Sequence, residues 1–421
     1  MRTNQPQITL FGWLHIRFMA TSKRVQDRSN TKRIYDLEIA KEKWKDTSKV
    51  LAILEVLKQE PEMIIPIKRL DRHRSKIGLE KPHRISDFLK KSPKLYEIYK
   101  DPRGVVWCGL TKEAEDLVHE GEKLLEEHKA KAAEIVTRCL MMSVDKRLPI
   151  SKIANFKRDF GLPLDFGNKW VHMFPDHFKV VKSNESIEYL ELVNWNPSWA
   201  ITELEKKQSG LNDLINDSNA HVPGLISLPF PLKFPSNFKR ISKYKSKVEE
   251  FQKLQYLSPY ANPSGLTPGT IEFNKRAVAI MHEILSFTIE KRLVTDHLTH
   301  FRQEFVMPQK LMRLLLKHSG IFYVSARGKR FSVFLTEAYK GKELIHKGPL
   351  MLWREKLLNL VGRRRKMPIE TFNGLSEVES DLAFEHLEDD ESPGVIEDVI
   401  LEESDEMEVE DLSHLIIIRP C

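Results

Sequence analysis

The chain has 421 residues, of which 41% are hydrophobic and 30% are charged. This length is enough for two or three packed domains, and the apolar fraction is that of a globular protein. No run approaches 18 consecutive apolar residues, so the sequence excludes a membrane-spanning helix. The three cysteines form no C-x-x-C pair, which argues against a disulfide scaffold or a cysteine-rich zinc site.

The net charge of +7 conceals a strong segregation of charge along the chain. Between Glu370 and Asp411 there are 18 acidic residues and no Lys or Arg. The chain up to Lys366 carries 66 basic and 42 acidic residues, a net charge of +24. A body this basic attracts polyanions, so RNA, DNA and anionic membrane are the partner classes to weigh against a role in solubility alone.

The two ends of the chain differ from the body in composition. The first 26 residues contain no Asp or Glu and interleave four cations with apolar residues. This pattern is typical of an organellar transit peptide, which we place at 1–32, and the alternative is an unstructured basic arm. The other end predicts a disordered acidic tail over 367–421, which either competes for the basic body or is merely solvated.

A recurring unit in the body is the most informative structural signal. In the first copy Pro66 is followed by Gly78, and in the second Pro149 is followed by Gly161 at the same separation. A weaker third copy begins near Leu293 and lacks these prolines. Each copy predicts a helix, a glycine turn, a second helix and a two-stranded hairpin.

The predicted fold class is therefore α+β and mostly helical, built from repeated helix-turn-helix plus β-hairpin units that are winged-helix-like. Between the two ends, the predicted domains are a first repeat over 33–140, a second over 141–215, a Pro-rich basic connector over 216–260 and a third repeat over 261–366. This order of elements is common on nucleic acids, although the periodicity itself does not specify a function.

Cations opposite the apolar stripes of the copies are the candidate RNA ligands. In the first copy they recur at a spacing of four on one exposed helix face: Lys68, Arg72 and Lys76. Like charges at this spacing repel one another, and a phosphate backbone would relieve that repulsion. In the second copy the exposed cations are Lys152 and Arg158. The residues predicted to be buried beneath the two faces are Ile67, Leu70, Ile77, Ile150, Ile153 and Phe160.

Two further stretches add candidate RNA ligands. The connector places an aromatic residue among cations: Lys239, Arg240, Lys243, Tyr244 and Lys245. An aromatic ring can stack on a base while its neighbours hold phosphates, and the alternative is a packed element with solvated lysines. The tip of the third hairpin carries Arg327, Lys329 and Arg330.

No complete catalytic spacing occurs in the sequence, which has no phosphate loop, dinucleotide fingerprint, nucleophile elbow or H-E-x-x-H helix. His297 and His300 could share a metal, but no acidic or cysteine partner is placed around them. We expect His297 to pack against other side chains and His300 to face solvent. The sequence therefore predicts no catalytic residue, no metal and no cofactor, and it indicates a protein that is not an enzyme.

Several multi-residue blocks of the body carry a family resemblance. They include Arg147-Leu148-Pro149-Ile150, Phe174-Pro175-Asp176-His177-Phe178, Ser258-Pro259-Tyr260 and Trp353-Arg354-Glu355-Lys356-Leu357. In this order, from roughly Arg33 to Leu360, the blocks resemble the plant organelle RNA recognition (PORR) domain. The resemblance implies a nuclear-encoded plant protein that enters chloroplasts or mitochondria, binds group II intron RNA and promotes its splicing, and it implies no catalytic residue.

The residues and the resemblance together predict an RNA-binding protein that organises group II intron RNA. Other splicing factors in a ribonucleoprotein are the further partners expected, and no membrane partner is expected. We expect a mitochondrial location, with the chloroplast as the alternative. The competing hypotheses are a winged-helix-like DNA-binding regulator of organellar or nuclear gene expression and a hydrolase with an unrecognised motif.

Overall fold

The computed structural model describes residues 34–79, 82–183, 187–208, 228–234, 242–325 and 331–362. Within these ranges the protein is mostly helical with small antiparallel sheets, which confirms the predicted α+β class. The order helix, short strand, helices and hairpin occurs there three times. We name these stretches the first module (35–110), the second module (129–192) and the third module (271–335). The predicted transit peptide and acidic tail lie outside the described residues.

The first module begins with a long helix, α1, and its chain returns through a hairpin. Its elements are α1 (Tyr35–Leu57), β1 (Ile65–Pro66), α2 (Ile67–Leu70), α3 (Arg74–Ile77), α4 (Ile85–Lys90), β2 (Tyr96–Lys100) and β3 (Val106–Leu110). Helix α5 (Lys112–Glu127) follows. Thr111 caps its amino terminus, because the Thr111 hydroxyl accepts a hydrogen bond from the Ala114 amide at 3.2 Å.

The second and third modules repeat this order of elements. The second contains α6 (Lys129–Met142), β4 (Arg147–Pro149), α7 (Ile150–Ala154), α8 (Lys157–Phe160), β5 (Phe178–Lys182) and β6 (Glu188–Leu192). Between the modules lie α9 (Glu203–Gln208) and α10 (Ser242–Lys253). The third contains α11 (Ile271–Phe287), β7 (Arg292–Val294), α12 (Thr295–Thr299), α13 (Leu311–Lys317), β8 (Phe322–Ser325) and β9 (Ser332–Leu335). The described chain then continues through β10 (Tyr339–Lys340), β11 (Glu343–Leu344) and α14 (Pro349–Leu360).

Each module forms a three-stranded antiparallel sheet whose middle strand is the last one in the chain. In the first sheet Pro66 pairs with Trp107, which also pairs with Tyr99 on the other side. Successive residues of a strand point to opposite faces, and the neighbouring Cys108 is fully buried against the core. We call the opposite side, which carries Trp107, the outer face of the sheet. The winged-helix identity of the modules stays a prediction.

A shared backbone turn supports the repeat. Gly78 and Gly161 adopt the left-handed conformation with φ of 75° and 71°, and Val306 stands at the corresponding place with φ of 49°. The next amide in each module donates to a carbonyl five residues earlier: Leu79 to Arg74, Leu162 to Lys157 and Met307 to Arg302. A β-branched residue rarely adopts this conformation, so the third module keeps the turn without the glycine that predicts it elsewhere.

The buried side chains form two large clusters. One cluster unites the second and third modules around their first helices, α6 and α11. The other belongs to the first module and includes Trp353, Leu357 and Leu360 from α14. Helix α6 therefore packs with the second module, and the predicted domain boundaries stay a prediction.

A buried ion network joins the second and third modules. Arg138 of α6 donates to Glu283 of α11 at 2.5 Å and to Glu203 at 2.6 Å, and the Tyr260 hydroxyl donates to Glu283 at 2.8 Å. Burial alone would lower the pKa of Arg138, but these carboxylates raise it above its ordinary value and keep the guanidinium charged. Tyr260 belongs to a block that carries the family resemblance, and its place here is structural.

The outer face of the third sheet is covered by the first helix of the first module. Lys41 of α1 donates to the Ser325 hydroxyl at 2.9 Å. The Arg292 guanidinium lies 3.5 Å from the centre of the Trp44 ring, close enough for a cation–π interaction. The third sheet is therefore buried on both faces, and every residue of β7, β8 and β9 is buried.

Candidate nucleic-acid interface

The three cations predicted on the first copy are exposed in the structure. Lys68, Arg72 and Lys76 face solvent, while Leu70 and Ile77 lie buried in the core of the first module. The predicted burial of these two apolar residues is confirmed, whereas Ile67, predicted to be buried with them, is half-buried against the same core. The role of the cations in RNA binding stays a prediction.

The segment that carries these cations is not the single helix that the sequence predicts. It consists of α2, one 3-10 turn over Asp71–His73, and α3. His73 leaves the helical region with ψ of 10°. The cations consequently follow successive short turns instead of one straight helix face.

Arg158, predicted to be exposed, is half-buried and binds α1. Its Nε donates to Glu55 Oε1 at 2.7 Å, and the ammonium groups of Lys157 and Lys76 lie 3.4 and 3.7 Å from the other oxygen of Glu55. Burial alone would raise the pKa of Glu55, but the Arg158 hydrogen bond and the three positive charges outweigh it and lower that pKa. One carboxylate thus offsets positive charge from two modules.

Lys152, the other cation predicted to be exposed in the second copy, is also half-buried and forms an ion pair with Glu304. The partners are separated by 152 residues, so no local pattern in the sequence indicates the pair. The exposed face predicted for the second copy is therefore wrong. Its apolar half is confirmed, because these residues are buried: Ile150, Ile153 and Phe160.

The remaining predicted ligands fall outside the side chains that the structure describes. Lys239 and Arg240 lie outside the described residues, as do Arg327, Lys329 and Arg330. The others lie in the first turn of α10, where the backbone alone is described: Lys243, Tyr244 and Lys245. Their roles stay predictions.

A group of exposed cations in the first module escaped the sequence reasoning. They lie on α4, on the loop that follows it and on the hairpin: Arg84, Lys90, Lys91, Lys94, Lys100 and Arg103. None of them has an ion pair among the described residues. Ile85 and Leu89, four apart and buried, are the signal that could have revealed the exposed side of α4. We call these six cations, together with Lys68 and Arg72, the basic surface.

The hairpin of the second module shows the opposite arrangement of charge. Lys179 pairs across the strands with Glu191 at 2.9 Å, and Lys182 pairs with Glu188 at 3.2 Å. These lysines already have ion-pair partners, whereas the cations of the basic surface have none among the described residues. Positive charge that is available to a polyanion is therefore most abundant, among the described residues, on the first module.

Aromatic rings accompany the basic surface on the outer face of the first sheet. Tyr99 is 45% exposed, and its cross-strand neighbour Trp107 is half-buried. The Trp107 indole donates to Asp101 Oδ2 at 3.2 Å, which restrains the ring. Lys100 and Arg103 follow directly at the hairpin tip. Rings beside unpaired cations are what single-stranded nucleic acid requires of a binding surface, because bases stack and phosphates need positive charge.

Among the described residues, no ligand cleft, metal site or membrane-spanning helix competes with the basic surface as a binding site. A cleft of about 300 Å³ lies between α1, β11 and α14, but its charges are matched internally: Lys43 pairs with Glu343 at 2.6 Å, and Lys347 pairs with Glu343 and Glu355 at 2.7 Å each. The described residues contain no group of three or more His, Cys, Asp or Glu side chains suited to a metal ion. Their helices also include none with the length and apolarity needed to cross a membrane.

The two histidines weighed as metal ligands behave differently from each other. His297 packs edge-on against Phe156, with 5.6 Å between ring centres, and His300 is exposed. The predicted packing of His297 and the predicted exposure of His300 are both confirmed.

Comparison with known families assigns the chain to a class of protein. A family model described as the plant organelle RNA recognition domain matches residues 32–366. The match covers most of the chain, and the chain belongs to this family. The resemblance found in the sequence is confirmed.

Individual plant proteins are similar to this chain over most of its length. The "Protein WHAT'S THIS FACTOR 1 homolog, chloroplastic" of Oryza sativa subsp. japonica is 35% identical over 369 residues, which are 84% of this chain and 71% of that protein. Its Arabidopsis thaliana counterpart is 36% identical over 74% of this chain, and the chain spans only 59% of that relative's length. "Protein WHAT'S THIS FACTOR 9, mitochondrial" of Arabidopsis thaliana is 28% identical over 74% of this chain. No solved structure matches the chain.

Proposed function

We propose that this protein binds group II intron RNA in a plant organelle and promotes its splicing by holding the RNA in a productive fold. Membership of a family described by organellar RNA recognition supports the RNA-binding part. The observation that carries the proposal is the basic surface of the first module, whose eight cations are exposed and without ion pairs among the described residues.

The mechanism follows from the charges of a large folded RNA. Group II intron strands repel one another through their phosphates, and a protein that offers unpaired Lys and Arg side chains neutralises part of that charge. The RNA itself supplies the reacting groups, so the protein needs no active site. We accordingly propose a non-enzymatic role, with other splicing factors as partners in a ribonucleoprotein.

The organelle is part of the proposal. Relatives named chloroplastic and mitochondrial are both similar to this chain, so they support an organellar location without selecting one. We propose the mitochondrion, with the chloroplast as the alternative. A fluorescent fusion at the carboxyl terminus of the full chain, imaged against markers for both organelles, tests this choice.

Sequencing of RNA that copurifies with the tagged chain from plant organelles tests the function. We expect group II intron sequences to be enriched over exons and ribosomal RNA. A variant with Lys68, Arg72, Lys100 and Arg103 changed to Gln serves as the matched control and should lose the enrichment. Recovery of ribosomal RNA alone, or equal enrichment by the variant, would contradict the proposal.

A DNA-binding regulator is the second candidate, because the repeated order of helices and hairpin is one that also serves on DNA. Competition between RNA and duplex DNA in a filter-binding assay separates the two candidates. We expect RNA to compete better. Preference for duplex DNA would favour the regulator.

The salt dependence of binding gives a second measurement. If six to ten phosphates are neutralised, affinity should fall roughly a thousandfold or more between 50 and 200 mM salt for a duplex-like ligand.

A further inference from the structure

One register position recurs on the outer faces of the first and second sheets. In the first sheet Trp107 stands opposite Pro66, and in the second Tyr189 stands opposite Pro149. Both aromatic residues lie in the middle strand, and both are half-buried. In both sheets, therefore, the proline of the short strand pairs with an aromatic residue at the same place in the repeat.

In the first sheet this position belongs to a pair of rings. Tyr99 lies directly across the strands from Trp107, so the two side chains share the outer face within about 5 Å at their Cβ atoms. The hydrogen bond from the Trp107 indole to Asp101 restrains one ring, and the 45% exposure of Tyr99 leaves the other accessible. A partly ordered ring loses little entropy when a flat ligand stacks on it.

Two aromatic rings, Tyr189 in the second sheet and Trp195 just after its middle strand, each have a cation close to the ring. The Arg147 guanidinium carbon lies 5.2 Å from the centre of the Tyr189 ring, and the Lys146 ammonium lies 5.1 Å from the centre of the Trp195 ring. Arg147 and Trp195 are both exposed. A planar guanidinium over a ring extends the stacking surface and adds positive charge beside it.

The third sheet lacks the aromatic residue and the access. Ser332 occupies the position of Trp107 and Tyr189, opposite Val294, and it is 2% exposed. Its neighbour Ser325 accepts the hydrogen bond from Lys41, so α1 fills the space above this row. Aromatic residues at this register position thus occur in the first and second sheets, where they are half-buried, and not in the third, where the position is buried.

We propose that the outer faces of the first and second sheets are two base-stacking subsites for single-stranded RNA. Tyr99 and Trp107 form the first, and Tyr189 with Arg147 forms the second. This inference rests on the RNA-binding function proposed above and names the part of the RNA that is recognised. A base inside a duplex is already stacked on both sides, so these rings select unpaired nucleotides.

The charge of the neighbouring residues selects RNA over a protein helix as the occupant. Lys100 and Arg103 border the first subsite, and Arg147 lies within the second, all of them exposed; Arg147 also has a long ion pair with Asp145 at 4.0 Å. An apolar helix seated on the two faces would desolvate these cations, whereas phosphates that follow stacked bases neutralise them.

Binding of the full chain to two fluorescent RNAs tests the proposal. The probes are an oligouridylate of about 16 nucleotides, which stays single-stranded, and an RNA duplex with the same number of phosphates. The first variant combines Tyr99→Ala with Trp107→Ala, and the second is Tyr189→Ala. The conservative control is Trp107→Phe, and the matched control is Tyr35→Ala, which removes a ring that is 77% exposed on α1.

We expect each subsite variant to weaken oligouridylate binding by about 5- to 150-fold for each base that no longer stacks on a ring. The affinity for the duplex and the slope of affinity against salt should stay unchanged, because no cation is removed. Trp107→Phe should retain most of the affinity, and Tyr35→Ala all of it.

Three outcomes would overturn the stacking subsites. Unchanged oligouridylate affinity in both variants would show that the rings are not used, although the proposed RNA-binding function would stand. Equal losses with both probes, or losses without recovery in Trp107→Phe, would assign the effect to folding. Failure of the parent chain to bind either RNA would instead contradict the proposed function itself.

Discussion

The first and third modules share a topology but use the outer faces of their sheets in opposite ways. In the first, the exposed Tyr99 and the half-buried Trp107 lie beside cations that have no ion pair among the described residues. In the third, Ser325 and Ser332 occupy the same register positions under Lys41 of α1. A module of this topology therefore either leaves the outer face of its sheet partly open to solvent or uses that face to hold another helix.

Covering a sheet face with polar side chains requires partners for each buried group. Lys41 has the Ser325 hydroxyl, Arg292 donates to the Ser332 hydroxyl at 2.9 Å, and Tyr323 donates to Glu38 of α1 at 2.5 Å. Because an unpaired buried polar group is costly, these contacts specify how α1 sits on the third sheet. On the outer face of the first sheet, the Trp107 indole instead finds its acceptor, Asp101, within the same hairpin.

The largest difference in stability between a covered and an uncovered outer face is expected when Phe334 is changed. This side chain is 0% exposed on the outer face of the third sheet, and its ring centre lies 5.6 Å from that of Tyr339. Phe334→Ala should lower the free energy of unfolding by about 3–5 kcal/mol, measured by urea denaturation. Glu191→Ala, at the equivalent position of the second sheet, should cost about 0.5 kcal/mol. Similar losses in both variants would contradict the distinction.

Within the first module, the same logic separates core from surface. Leu70 is 0% exposed, so Leu70→Ala should cost about 2–5 kcal/mol of stability while leaving the charges in place. Changing Lys68, Arg72 and Lys76 together to Gln should lower the free energy of unfolding by no more than about 0.5 kcal/mol per substitution, since all three are exposed and Glu55, 3.7 Å from Lys76, keeps its contacts with Arg158 and Lys157.

RNA binding by the triple Gln variant provides the other half of this test. Affinity should fall, and the slope of affinity against salt should become shallower by up to about one unit for each phosphate that is no longer neutralised. The original affinity and slope would mean that the RNA contacts lie elsewhere on the basic surface. Unfolding of the triple variant would show that these side chains are structural.

Local periodicity explains how much of this fold could be predicted. Leu70 and Ile77 were recognisable as core because apolar residues at helical spacing must share a face. Gly78 and Gly161 were recognisable as turns because their left-handed conformation favours glycine. These features depend only on residues within one repeat, so the local sequence pattern is enough to reveal them.

Contacts between repeats explain what could not be predicted. Arg158 donates a hydrogen bond to Glu55, which lies 103 residues away in the sequence, and Lys41 donates to Ser325, which lies 284 residues away. A pattern of charges shows which side chains are polar but not which of them another module covers. For the same reason the half-burial of Arg158 and Lys152 was missed, while the exposure of Lys68 was predicted correctly.

The buried Lys41 makes the closed face sensitive to pH. Burial lowers its pKa from 10.5 to about 8, although Glu38 partly opposes the shift. The folded protein therefore binds fewer protons than the unfolded chain between pH 8 and 10.5, so stability rises with pH across this window. The two pKa values correspond to a gain of up to about 3 kcal/mol relative to a Lys41→Met variant.

Urea denaturation of the parent and of Lys41→Met at pH 7 and pH 10 measures this gain. Lys45→Met, on the same helix but only half-buried, is the control and should follow the parent's pH dependence. A constant difference between the parent and Lys41→Met at the two pH values would show that α1 does not bury this ammonium group on the third sheet.

The smallest predicted effect concerns the helix that connects the two contrasting modules. Helix α14 follows the third module, yet Trp353 packs in the core of the first, and its indole donates to the Leu117 carbonyl at 2.7 Å. A Cβ at Gly121 would lie 2.4 Å from Trp353 Cζ2. Overpacking in Gly121→Ala should therefore lower the free energy of unfolding by about 1–3 kcal/mol. The higher helix propensity of Ala should restore about 1 kcal/mol of this loss.

A double-mutant cycle with Trp353→Phe isolates that contact. The smaller ring removes the atoms that the new methyl group meets, so Gly121→Ala should be less harmful in the Trp353→Phe background, or even stabilising. An equal cost in both backgrounds would mean that the glycine is needed for another reason than close approach. The expected coupling would show that the first module, with its open sheet, is held in place by a helix that follows the closed one.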